Sequence, residues 1–195
     1  MGRHTRKLQI ATAVALACLL LETVAPLLTK SRPVPSEAIG LLVFLGVLFF
    51  VQKASSRWIA LVAFCGVLQN LVVYLICVRG PGFGSTSSNS AVLGGSGIIY
   101  TAALLLFFGY LALRQRGVAR WVTLAALCGL AQRAAVVYLG RPTAWLFGKH
   151  LTVAYTASYL CNRGSFMLFL GFLLVRSIWR RGRDEAASSP GRGVA

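Results

Sequence analysis

Acidic residues are almost absent from this chain. Four Asp and Glu stand against 20 Lys and Arg among 195 residues, and only 12% of the chain is charged. That is about half the charged share of an ordinary soluble domain, which argues against a water-facing surface of mixed charge. Histidine occurs only at His4 and His150, both outside the apolar runs, so no histidine set offers itself to a metal. The five cysteines are odd in number and no C-x-x-C pair occurs, which argues against a disulfide framework, a thiol oxidoreductase or a cysteine metal cage. Cys18, Cys65, Cys77, Cys128 and Cys161 are expected to be small buried hydrophobes. Glu22 is read as the only acidic residue inside an apolar run. The paired carboxylates of an intramembrane acid–base enzyme are therefore not expected, and no catalytic residue, metal or cofactor is assigned.

What is abundant is apolar. Hydrophobic residues make up 57% of the chain, more than a soluble domain of this length can bury in one core. A bilayer removes that difficulty because the surrounding solvent is itself apolar. The runs are Leu8–Thr29, Ser36–Gln52, Trp58–Val78, Ala91–Leu113, Trp121–Leu139 and Leu151–Ile178. With about 20 residues needed to cross the hydrocarbon core, they predict an all-α, polytopic membrane bundle of about six helices, the second short and upright and the sixth long and tilted. A single transmembrane domain over residues 1–183 and a disordered cytoplasmic tail over 184–195 follow. The first run is read as a retained span, since no small-x-small cleavage site precedes Pro26.

The net charge of +16 can signal nucleic acid, but the basic residues sit between and beyond the apolar runs, where membrane anchoring places them, and no nucleic-acid partner is expected. Thirteen Lys and Arg fall on the side of the termini and of the second–third and fourth–fifth connections, and five on the other. The richer side is expected to be cytoplasmic, with both termini there. Many Ala and Arg beside few Lys suggest a bacterial plasma (inner) membrane. Trp58, Trp121, Trp145 and Trp179 flank spans, as interfacial anchors do.

Leu41–Asn70 aligns without gaps to Leu104–Arg133, with 13 identities in 30 positions, among them Gln52 with Gln115, Arg57-Trp58 with Arg120-Trp121 and Cys65-Gly66 with Cys128-Gly129. Phe44-Leu45-Gly46 and Phe107-Phe108-Gly109 return as Phe169-Leu170-Gly171, while Cys18 and Glu22 echo the spacing of Cys65 with Gln69 and Cys128 with Gln132. The pattern is that of three tandem helical hairpins, the first shortened. Gly46, Gly109 and Gly171, and the cluster Gly94-Gly95-Ser96-Gly97, are expected to let helices cross tightly.

Polar residues inside spans are costly and usually have a partner or a purpose. Here they are Glu22, Gln69, Asn70, Gln132, Arg133, Asn162 and Arg163, joined by the hydroxyls of Tyr100, Tyr155 and Tyr159. Counted along their helices they fall at one middle-to-outer level. Two roles stand open for them: hydrogen bonds between helices, and a ligand or ion site. One Glu cannot neutralise two Arg, so a spare arginine would invite an anion, whether a small molecule or a lipid headgroup.

The stretch from Arg120-Trp121 through Gln132, with Lys149 and Tyr159-Leu160-Cys161-Asn162-Arg163, is loosely similar to the GtrA-like membrane proteins, which implies movement of lipid-linked sugars. Their Asn-Arg pair belongs at a cytoplasmic helix end, whereas Asn162-Arg163 stands mid-span. The three-hairpin plan is also similar to the HdeD-like acid-resistance proteins. Neither likeness spans the chain, and neither assigns a family. The functional expectation is a small transporter, channel or flippase-like protein for an anionic solute or lipid-linked headgroup. The alternative is a non-catalytic membrane subunit, assembly factor or stress protein, working with a membrane protein partner or as a homo-oligomer.

Overall fold

The computed structural model describes residues 2–28, 36–52, 55–79, 87–140 and 149–187. Among them the elements are α1 (Gly2–Leu28), α2 (Ser36–Val51), α3 (Ser55–Arg79), α4 (Ser87–Arg114), α5 (Val118–Gly140) and α6 (Lys149–Ala187). Each apolar run coincides with one helix. α6 reaches Ala187, so the first four residues of the expected tail are helical. Residues 80–86, Trp145 and residues 188–195 of the expected tail lie outside the described residues.

Among the described residues, five helices are long and apolar enough to cross a membrane. α2 has 16 residues, about 24 Å at 1.5 Å per residue, and falls short of the roughly 30 Å hydrocarbon core. The helices pack as a closed ring in chain order, α1 against α2 and so on to α6 against α1. The pairs α1–α2, α3–α4 and α5–α6 are the most closely packed.

The end of the ring that carries the start of α1, the ends of α2, α4 and α6 and the starts of α3 and α5 is the basic end of the sequence reading. Toward it the ring is filled by Phe44, Phe107, Phe108, Phe166 and Phe169, all almost fully buried. Phe108 meets Phe169 edge-on at 5.0 Å, and Phe44 meets Phe169 at 6.5 Å, both near perpendicular, the arrangement that the ring quadrupole favours. The outward faces are apolar: Leu21, Phe50, Leu106, Leu113, Val153 and Leu168 are all exposed. Such a surface is at ease only in lipid. Trp58, Trp121 and Trp179 are exposed at the basic end, where interfacial anchors belong.

Glycine permits the closest approach in each of the three tight pairs. A methyl at Gly40 on α2 would stand 2.8 Å from Cys18 Cβ on α1, and one at Gly66 on α3 would stand 2.6 Å from Ala103 Cβ on α4. At Gly129 on α5 it would collide with the Ser165 side chain on α6. Gly66 and Gly129 stood in the aligned Cys-Gly pairs, but tight crossing was expected at other glycines. A methyl at Gly94, Gly95, Gly109 or Gly171 meets nothing within 4 Å, at Gly46 it makes only ordinary contact with Phe64, and at Gly97 it would press the Tyr138 hydroxyl at 3.0 Å. The Gly-Gly-Ser-Gly cluster does not break α4, and only Gly97 and the buried Ser96, which bonds Asn70 of α3 at 3.0 Å, meet a neighbour closely there. Small-residue spacing marks a helix face without saying whether that face meets a helix or lipid.

The cysteine expectation is corrected in the same way. Cys65, Cys128 and Cys161 are exposed, and Cys18 and Cys77 are half-buried. A small apolar side chain is as well placed against lipid as in a core. At the basic end α4 stops at Arg114, and Gly117, directly before α5, takes a φ of 63°, the left-handed conformation that glycine adopts without strain in a turn. The Thr123 hydroxyl of α5 then donates to the Gln115 side chain and to the Ala119 carbonyl.

Candidate functional site

A helix that starts inside a membrane bundle has a problem at its first turn. Its leading N–H groups have no partners within the helix, and no water is at hand to replace them. α2 starts in this position, and α1 resolves it with Glu22. Glu22 Oε2 accepts the Glu37 backbone N–H at 2.5 Å and the Ser36 hydroxyl at 3.4 Å. The Ser36 hydroxyl also donates to the Cys18 carbonyl at 3.1 Å. The carboxylate charge is favoured there as well, because a helix N-terminus is its positive pole. The half-buried acidic residue of α1 is thus explained by the short α2.

The other oxygen of Glu22 holds α6. Arg163 Nη2 donates to Glu22 Oε1 at 2.8 Å and lies 2.6 Å from Glu37 Oε2. Arg163 retains only 5% of its exposure, so three charges from α1, α2 and α6 meet in the interior. This corrects the reading of Glu22 as the only acidic residue in a span. Glu37, the second residue of α2, is the other, and the described interior holds two carboxylates and two guanidiniums. The expected spare arginine is therefore not spare by simple count.

Arg133 of α5 is held mostly by α6. Its Nη1 donates to the Tyr155 carbonyl at 3.1 Å and to the Ser158 hydroxyl at 3.2 Å. The Tyr159 ring has the Arg133 guanidinium at 5.6 Å and that of Arg163 at 4.8 Å. One aromatic side chain thus lies between two cations and partly screens their repulsion through its π-face.

Two cavities flank this cluster. The first, about 240 Å³, is lined by Arg133, Arg163, Tyr138, Tyr159 and Asn162 among others. The second, about 280 Å³, is lined by Glu22, Ala38, Asn70, Leu71 and Tyr74. Glu37 and Tyr100 line both, and the Tyr100 side chain is within hydrogen-bonding reach of Glu37. One cavity is thus walled by cations and the other by carboxylates, with Glu37 and Tyr100 between them.

The structure brings seven of the ten candidate residues to this region, and Gln69, Gln132 and Tyr155 line neither cavity. Glu22, Asn70, Tyr100, Arg133, Tyr159, Asn162 and Arg163 line one cavity or both. Asn70 is engaged by the Ser96 hydroxyl at 3.0 Å. Gln69 lines neither cavity, although its Oε1 is buried without a partner. Gln132 is exposed on the outside of the ring. Sequence reasoning passed over Glu37, Tyr74, Thr101 and Tyr138. The first had a legible signal: Glu37 stands 63 residues before Tyr100, the interval of the aligned segments.

Buried polar atoms without partners occur at Gln9, Gln52 and Gln69, and at two adjacent residues beside the first cavity. Arg163 Nη1 and Asn162 Oδ1 are both buried without hydrogen-bond partners, and both residues line the first cavity. Among the described residues no group of His, Cys, Asp and Glu is arranged to hold a metal. Comparison with protein-family models, with curated proteins and with solved structures finds no match for this chain.

Proposed function

We propose that this chain is a small transporter, set in a bacterial plasma membrane with both termini cytoplasmic, whose substrate site is the first cavity. Its cargo is a small anion held between Arg133 and Arg163. The observation that carries this reading is the orphaned pair beside the cavity, Arg163 Nη1 and Asn162 Oδ1. A buried donor or acceptor left without a partner costs about 1–3 kcal/mol, and more when charged. Polar residues that served only to join helices would be expected to satisfy one another. A ligand with anionic oxygens and a hydroxyl supplies what both atoms lack. The cavity, about 240 Å³, is below the roughly 300–1,000 Å³ of sites for drug-sized molecules, which favours a free small anion over a bulky lipid-linked headgroup.

The aromatic layer supports the same reading. Phe44 and Phe107 stand seven residues beyond Glu37 and Tyr100, about 10 Å along each helix. They close the ring on the basic side of the polar chamber. The proposed three-hairpin repeat is supported by the recurring Phe-x-Gly segments and by the closed ring of helix pairs.

Purified protein in liposomes tests the proposal with radiolabelled lactate, methanesulfonate and inorganic phosphate. A parallel arm follows flipping of fluorescent phosphatidylglycerol, which separates a free anion from a lipid headgroup. The expected result is saturable uptake of a free anion, lost in Arg163→Ala and reduced at least tenfold in Arg133→Gln. Uptake unchanged by both substitutions would remove the site. Silence in both arms, together with co-purification of one stoichiometric membrane protein, would favour the non-catalytic subunit instead.

A further inference from the structure

We infer that Glu37 takes up one proton with each anion that enters, so that the protein moves a small organic monoanion and a proton together. This rests on the transport reading given above. The argument is one of charge. Glu37 is faced by Glu22 from α1, Tyr74 from α3, Tyr100 from α4, Arg133 and Tyr138 from α5, and Tyr159 and Arg163 from α6. With both carboxylates and both guanidiniums charged, the set is neutral. A monoanion arriving between Arg133 and Arg163 would leave one uncompensated negative charge where little water reaches, and such a charge is strongly disfavoured. One proton on a carboxylate restores neutrality.

The geometry selects which carboxylate. Glu22 is committed at both oxygens: Oε1 to Arg163, and Oε2 to the Glu37 N–H and the Ser36 hydroxyl at the start of α2. Protonating it would weaken the cap of a helix that begins inside the bundle. Glu37 has one oxygen on Arg163 and is the carboxylate that lines both cavities. An anion that competes for Arg163 displaces Glu37, and the freed carboxylate faces the second cavity, from which the proton arrives. Tyr100 can donate to the carboxylate or accept from the acid, so it serves either state. When the anion departs, Arg163 returns to Glu37 and the proton leaves. No covalent bond other than O–H forms or breaks.

The test uses proteoliposomes and methanesulfonate, a monoanion that does not titrate in the range used, so any coupled proton must be carried by the protein. If the protein passes only lactate, its initial rate above that of protein-free vesicles takes the place of accumulation. With the membrane potential clamped at zero, an inward gradient of one pH unit should drive accumulation of methanesulfonate up to about tenfold, the limit for one proton per anion. Imposing a potential without a pH gradient should leave the parent's uptake unchanged. In Glu37→Gln the pH-driven accumulation should vanish and uptake should follow the potential, while Glu37→Asp should keep the coupling. Parent uptake that follows the potential and ignores the pH gradient would overturn the inference while leaving the transport reading intact, and this needs no variant to fold. Retained pH-driven accumulation in a folded Glu37→Gln would also overturn it. No uptake of any anion by the parent would overturn the transport reading and the inference with it.

Discussion

The two halves of the ring solve the problem of filling a membrane bundle in opposite ways. Toward the basic end, Phe44, Phe107, Phe108, Phe166 and Phe169 fill the interior with interlocking rings. On the other side, Glu22, Glu37, Arg133 and Arg163 leave two cavities between the helices. Lipid gives no hydrophobic drive for helices to associate, so the aromatic half is held by close packing alone. The polar half is held by charge pairs that are costly to bury and costlier to break. A tightly packed half beside a loosely satisfied one suits a protein that must stay assembled while part of it exchanges partners.

Substitutions in the two halves can break this contrast or sharpen it. The largest effect is expected from Arg163→Met, which leaves Glu22 and Glu37 facing each other without a cation. Loss of a partner from a buried pair costs about 3–5 kcal/mol, and unfolding in mixed detergent micelles should show a loss of that order. Equal stability of variant and parent would mean that the charges do not meet. Phe169→Ala should cost about 3 kcal/mol, the lower end for a deleted core aromatic, because lipid offers the exposed ring an apolar home. Its uptake of anions should fall far less than that of Arg163→Met at matched folded fraction. The smallest effects separate the glycines. Gly66→Leu should lose about 1–3 kcal/mol by forcing α3 from α4, whereas Gly94→Ala, with nothing to strike, should be neutral or gain up to about 1 kcal/mol from the stiffer chain. Thermal unfolding of the pair in one detergent decides it, and an equal loss in both would show that α4 crosses tightly at its Gly-rich turn after all.

Much of this could be read before any coordinates. Six apolar runs became six helices, and the meeting of Glu22 with Arg163 was one of two pairings the residues allowed. The site itself was read less completely. Glu37 sits at the first turn of α2, where an acidic residue is ordinary for its favourable position on the helix dipole. Nothing in the local sequence says that this turn lies inside the bundle rather than at its surface. The tight glycines were missed for a related reason: Gly66 and Gly129 matter because of what faces them on α4 and α6.

By itself the sequence determined the all-helical, membrane-embedded architecture and the order of the six helices among the described residues. Every backbone group in lipid must be satisfied within its own segment, so hydropathy along one run of chain decides whether that run forms a spanning helix. Only the tertiary structure decided which polar side chains share a chamber. Successive residues on a helix point about 100° apart, so neighbours can have opposite fates. Gln132 lies exposed on the outer surface while Arg133 reaches α6 and lines a cavity, because the packing of α5 against α6 sets the rotation that no single span encodes.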